Sequence, residues 1–161
     1  AEDTLMKVRP HIKYFHSSSY INDLASGEIC VAVGWNGDML QARDRGAEAS
    51  TPVRVAYAIP KEGAINYFDM LAVPADAPHP KNAHLFINYI LRPEVHASLT
   101  NKVFYANPTL ASKPFVKPEV ASNPTVFLPP ADLKNMVAPD SLSNDLRRLM
   151  TRTYTSFKTG L

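Results

Sequence analysis

Two short stretches hold side chains whose types and spacing could do chemistry. Gly34-Trp35-Asn36-Gly37-Asp38 sets the chain's one tryptophan three residues before a carboxylate. Asn66-Tyr67-Phe68-Asp69-Met70-Leu71-Ala72-Val73 places a second carboxylate inside an apolar run that Pro74 closes. An indole face beside a carboxylate suits an organic ammonium group, because ring quadrupole and negative charge both stabilise a cation shielded from water. Each residue also has an ordinary reading, Asp38 as a helix N-cap and Trp35 as core packing. A carboxylate buried in a strand needs a cationic partner, hydrogen bonds or solvent from a cleft. No Lys or Arg nearby in sequence is placed to pair with Asp69, which leaves a salt bridge to a distant residue or a cationic ligand. The pair Asp38 and Asp69 also leaves carboxylate-pair hydrolysis formally open.

The elements that must position these groups follow from periodicity. Ile29-Cys30-Val31-Ala32-Val33 is an unbroken apolar run, which predicts a strand buried on both faces, as in a parallel sheet covered by helices. Gly34 and Gly37 would then turn the chain tightly at the strand's carboxyl end, where open α/β sheets hold ligands, and Asp38 would cap a helix from Met39 to Arg43. Upstream, Val8 to Phe15 reads as a strand, and Ser17-Ser18-Ser19 offers caps for a helix Tyr20 to Ser26 that Gly27 stops. Downstream, Val53, Val55, Tyr57 and Ile59 alternate as in a strand before the turn at Pro60 and Gly63, and Asn66 to Val73 forms another. Lys81 to Leu91 and Pro93 to Asn101 read as packing helices, and Phe104-Tyr105-Ala106-Asn107-Pro108 as an aromatic loop.

Prolines 108, 114, 118, 124, 129, 130 and 139 predict irregular chain draped over the surface, with a short helix near Pro130 to Asn135. A final helix, capped by Ser141 or Ser143 and ended by Gly160, puts Leu142, Leu146, Leu149, Met150 and Phe157 on one core-facing stripe.

Composition narrows the function classes. The 161 residues suffice for one domain with a core, and the apolar share of 45% with 20% charged is that of a soluble globular protein. A formal net charge of +2, without a basic block, gives no support for nucleic acid or an anionic membrane as partner. No apolar run nears the roughly 20 residues of a membrane span, and Ala1 onward lacks a signal-peptide pattern. The chain is therefore expected to be soluble, and cytosolic, already processed, or an internal piece of something longer. Cys30, alone, reads as an inert core residue. No phosphate loop, nucleophile elbow, His-Glu-x-x-His motif or zinc-ligand spacing is present, so no cofactor and no metal are expected.

Several runs together resemble one family. They are Tyr14-Phe15-His16-Ser17-Ser18, Tyr20-Ile21-Asn22-Asp23-Leu24-Ala25, Gly34-Trp35-Asn36-Gly37-Asp38, Ile59-Pro60-Lys61-Glu62-Gly63-Ala64, Phe68-Asp69, Leu91-Arg92-Pro93 and Val103-Phe104-Tyr105-Ala106-Asn107. In order and spacing they resemble the putrescine/spermidine-binding proteins of bacterial ABC importers, nearest the putrescine branch, including Thr151-Arg152-Thr153-Tyr154 and Lys158-Thr159-Gly160. The resemblance implies an α/β, periplasmic-binding-protein-like (type II) two-lobe fold, of which this chain looks like the C-terminal half. By resemblance, residues 1–45 form a second-lobe segment, 46–107 a first-lobe return with two strands and two helices, and 108–161 a Pro-rich crossing with the last helix of the second lobe.

The same resemblance implies a periplasmic solute-binding protein without catalysis, which takes putrescine or spermidine into an interlobe cleft and delivers it to an ABC permease. It places Trp35 as an aromatic ring stacked on the methylene chain, Asp38 and Asp69 as ammonium-binding carboxylates, Tyr67 and Tyr105 as aromatic walls, and Ser17 at a polar contact. Further contacts would lie in the missing N-terminal half, where the family's partner for Cys30 in a disulfide would also lie. Alternatives are a related binder of a non-polyamine solute and a fragment inactive until complemented by that half.

Overall fold

The computed structural model describes residues 2–138 and 141–160. The chain divides into two compact units, Ala1–Ser17 with Pro139–Leu161, and Ser18–Ala138.

In the first unit, α1 (Glu2–Val8) runs into a 3₁₀ turn, Arg9–His11, and α8 (Asn144–Thr159) packs beside it. Of the strand expected over Val8 to Phe15, helix and 3₁₀ turn take Val8 to His11, and Ile12 to Phe15 joins no ladder. Glu2 and Asp3 in the first turn and Lys7 in the last match the helix dipole, and Pro10 is tolerated in a first turn. Arg9 donates from Nε and Nη2 to the Lys158 carbonyl at 3.2 and 3.0 Å, and Phe15 meets Phe157 edge-on at 5.1 Å. Of the two caps expected for α8, Ser143 serves, its hydroxyl accepting from Leu146 N–H, and Gly160 ends the helix in the left-handed region. The apolar stripe is not core, however, since Leu146, Leu149 and Met150 are exposed and only Phe157 of these finds an aromatic partner.

The second unit is organised on α3 (Asn36–Glu48), which is buried on two sides. Met39 and Ala42 pack with Tyr20 and Leu24 of α2 (Tyr20–Ser26), joined by Ile29, Ala32, Val55 and Tyr57. Leu40 packs with Ala97 of α5 (Pro93–Val103) and with Val116, Val120 and Val126. The Pro-rich stretch is thus not merely draped over the surface. It supplies three of the five residues of this second core, Val116 just after its 3₁₀ turn (Leu110–Phe115), Val120 on α6 (Pro118–Ala121) and Val126 beyond it. Buried Ser112 donates to Asn107 Oδ1 at 2.7 Å, and Asn107 in turn donates to Thr100 Oγ1 at 2.8 Å, which ties the stretch to α5.

Helix α4 (Pro80–Ile90) matches the expected Lys81 to Leu91, although Phe86 is exposed. α7 (Pro130–Leu133) falls where a short helix was expected. The one ladder among the described residues is parallel, as an α/β fold requires, and joins β1 (Ala64–Ile65) to β2 (Met136–Val137). The segment from Val53 to Ile59 alternates half-buried and exposed residues as expected, yet joins no ladder. The segment from Glu28 to Val33 overturns the expectation of burial on both faces. Val31 and Val33 are 84% and 100% exposed, because α2 and α3 cover only the side that carries Ile29 and Ala32. Cys30 is consequently exposed rather than an inert core residue. Asn66 to Val73 is likewise open, with Phe68, Met70 and Leu71 exposed.

Candidate functional site

Asp38 is the centre of the site, and not as a helix cap. α3 begins at Asn36 with Trp35 in the N-cap position, so Asp38 stands in the first turn, where the dipole favours its charge. Both carboxylate oxygens are gripped by phenols. Tyr20 Oη donates to Oδ2 at 2.5 Å and Tyr105 Oη donates to Oδ1 at 2.8 Å. The Tyr20 hydroxyl also accepts from the Trp35 backbone N–H at 3.5 Å.

The glycines explain how two rings reach one carboxylate. Gly34 and Gly37 were expected to supply tight turning, but neither has a positive φ. What they supply is room. A Cβ on Gly34 would lie 2.7 Å from Cζ of Tyr20, and one on Gly37 would lie 2.5 Å from Cε2 of Tyr105 and would overlap the Val103 carbonyl oxygen. Each glycine therefore seats one tyrosine ring whose hydroxyl ends on Asp38. Tyr105 is aimed by Phe104, which closes α5 at φ 60, a left-handed conformation that a side chain other than glycine adopts only when its surroundings hold it. Packing of Phe104 against the Leu40 cluster and under the Arg43 guanidinium provides that hold.

Trp35 and Tyr67 form the second element of the site, ring centroids 5.0 Å apart and nearly perpendicular. They are 46% and 53% exposed, which leaves faces of both open to a ligand. Trp35 stands at the N-cap and Asp38 in the first turn of the same helix, and the Tyr20 hydroxyl links the Trp35 backbone to the Asp38 carboxylate. The structure thus brings together Trp35 with Tyr67 and Asp38 with Tyr105. Asp69 follows Tyr67 by two residues and is exposed, so the expected burial cost does not arise, and no Lys or Arg pairs with it among the described residues. Ser17 is exposed and belongs to the first unit. Tyr20 was not foreseen from the sequence. The available signal was Gly34, a position without a Cβ at the end of an apolar run, but nothing in the sequence says which ring packs there.

Burial foremost, then the hydrogen bond to Asp38, pushes the Tyr20 phenol from 10.0 up to about 12, with the Trp35 amide partly opposing. The same leading causes push the Tyr105 phenol up. Both therefore remain protonated donors at neutral pH. Because the folded chain holds the Tyr20 proton to higher pH than the unfolded chain does, its stability contribution is complete below pH 10.0 and is lost as pH rises through about 12, that of Tyr105 being lost at still higher pH. Urea midpoints followed from neutral to alkaline pH are expected to fall along this limb, and less steeply for Tyr20→Phe.

The arrangement can hold an organic cation. An ionised carboxylate offers about four lone-pair positions, of which the phenols take two. A hollow on α8 lined by Arg147, Arg148 and Arg152 has the wrong sign for such a ligand. Among the described residues no three His, Cys, Asp or Glu side chains gather as a metal site would require, and no helix is long and apolar enough to cross a membrane.

Comparison with known proteins adds an independent line. A family described as bacterial extracellular solute-binding protein matches residues 1–135. The chain is 48% identical over 161 residues to a putrescine-binding periplasmic protein of Escherichia coli, covering 99% of this chain and 43% of that protein. It is 37% identical over 160 residues to a putrescine/agmatine-binding protein of Pseudomonas aeruginosa, with coverage of 99% and 44%. To a spermidine/putrescine-binding periplasmic protein of Escherichia coli it is 35% identical over 135 residues, with coverage of 84% and 37%. The chain spans less than half the length of these relatives.

Proposed function

The chain belongs to the bacterial extracellular solute-binding protein family, and from that premise we propose that it is part of a two-lobe periplasmic protein that binds a polyamine and delivers it to an ABC permease. In this reading it has no catalytic role. Putrescine is the first candidate ligand and spermidine the second. The observation that carries the reading is Asp38, a carboxylate held by two protonated phenols and, among the described residues, without a Lys or Arg partner, in the first turn of the helix whose N-cap, Trp35, forms an open ring pair with Tyr67. One ammonium group would rest on Asp38 and the other on Asp69. Trp35, Tyr67 and Tyr105 would cover the methylenes, each cation–π contact being worth about 0.5–2 kcal/mol. Ser17 would add a polar contact, and the lobes would comprise residues 1–45 with 108–161, and 46–107.

A second reading has a specific observation behind it. Exposed Val31, Val33, Phe68 and Met70 favour a chain that needs the missing half to cover it before ligand is held tightly. Exposed Cys30 would then find its disulfide partner in that half, as an oxidising periplasm allows.

Titration calorimetry of the chain with putrescine and spermidine, with Trp35 fluorescence in parallel, decides between them. Heat and a fluorescence change are expected, with affinity falling roughly tenfold for Asp69→Asn, whose exposure limits its share. Absence of both signals would reject binding by this chain alone and favour the complemented form. An affinity indifferent to Asp69→Asn and Asp38→Asn would reject the diammonium ligand.

A further inference from the structure

Resting on the polyamine reading, we propose that Tyr20 is a positioning residue for ligand binding, fixing the Asp38 carboxylate and the Trp35 backbone at once. The resemblance places no ligand contact at Tyr20, and the geometry gives it a different role. The residue is 5% exposed, its ring seated on Gly34 and packed with Leu24 and Met39, so the hydroxyl is delivered from a fixed body. That hydroxyl donates to Asp38 Oδ2 and accepts from Trp35 N–H, one oxygen joining the two residues that would meet the ammonium group and the methylenes. A carboxylate on a free side chain rotates about two torsions, and ordering it on ligand arrival would cost affinity. Held at both oxygens by Tyr20 and Tyr105, it is ordered beforehand. Tyr20 is the better anchored of the two, since Tyr105 is only half-buried. The hydroxyl would therefore sense the ligand, because a cation drawing on the carboxylate weakens what the carboxylate offers the phenol.

Tyr20→Phe keeps the ring on Gly34 and removes only the hydroxyl. With the 161-residue chain, calorimetry is expected to show putrescine binding weakened roughly tenfold, while the urea midpoint at neutral pH also falls, as for loss of a hydrogen bond to a charged group. Proton NMR of the unaltered chain is expected to show a downfield Tyr20 hydroxyl signal, assigned by its proximity to the Trp35 amide, that shifts on addition of putrescine. A purely packing role would leave that signal unmoved. The proposal is overturned if the chain binds putrescine and Tyr20→Phe binds it equally well. It is also overturned if putrescine at saturation leaves the hydroxyl signal in place, an outcome that holds even should the variant fold poorly. Failure of the unaltered chain to bind putrescine would instead reject binding by this chain alone, and this proposal with it.

Discussion

Asp38→Asn is expected to weaken putrescine binding by roughly 30- to 1,000-fold while leaving the fold nearly intact, since removing one side of a charged, hydrogen-bonded pair costs about 2–4 kcal/mol. The separation of the two effects follows from the phenol grip. Asparagine keeps a carbonyl oxygen that accepts from one tyrosine hydroxyl, and its amide donates to the oxygen of the other. Packing of Tyr20 on Gly34 and of Tyr105 on Gly37 needs no charge. The negative charge is what an ammonium group requires, and asparagine lacks it. Calorimetry for affinity and urea denaturation for stability would be run on the same preparations. Affinity loss matched by an equal loss of stability would mean that Asp38 serves the fold rather than the ligand.

Gly37→Ala is expected to be among the most destabilising single methyl additions in the chain, by about 1–3 kcal/mol and toward the upper end, as for overpacking against atoms that cannot yield. Its Cβ would meet the Val103 carbonyl and the Tyr105 ring together. Backbone cannot rotate out of the way as a flexible side chain can. Relief requires the end of α5 to draw back from α3, which takes the Tyr105 hydroxyl off Asp38. The urea midpoint should fall, and any putrescine binding should weaken with it. Gly34→Ala is the internal control, because Met39 Cε, also 2.7 Å away, is a flexible end that can move, leaving only the Tyr20 ring to resist. Equal tolerance of both alanines would show that the close approach at Gly37 is not maintained in solution.

What could be read from the sequence divides along physical lines. Helices announce themselves locally. Gly27 after Ser26, Ser143 before Asn144 and Pro93 at a helix start fix their ends through caps that need no distant partner. Strands do not. The alternation at Val53, Val55, Tyr57 and Ile59 correctly picked out an inward face, but ladder formation depends on a neighbouring chain that the segment itself does not encode. The run at Ile29–Val33 departs from the expected two-sided burial for the same reason, since apolar residues state a preference for cover without supplying any. In the candidate site, Trp35 and Asp38 were legible because they are close in sequence. Their contacts with Tyr67, Tyr20 and Tyr105 were not legible from local pattern, because each is made by packing between separate segments.

The two hydroxyls on Asp38 also differ in how they are reached during folding. Tyr20 lies 18 residues from Asp38 and Tyr105 lies 67 residues away. Loop closure over the longer span costs about 1 kcal/mol more in chain entropy. α2 and α3 form a helical hairpin that can join Tyr20 to the carboxylate early, whereas Tyr105 must wait for α5 to arrive across the intervening chain. On chain entropy alone the Tyr20 contact is thus the less costly of the two to close, and the Tyr105 contact is the one that depends on longer-range packing of α5 against α3.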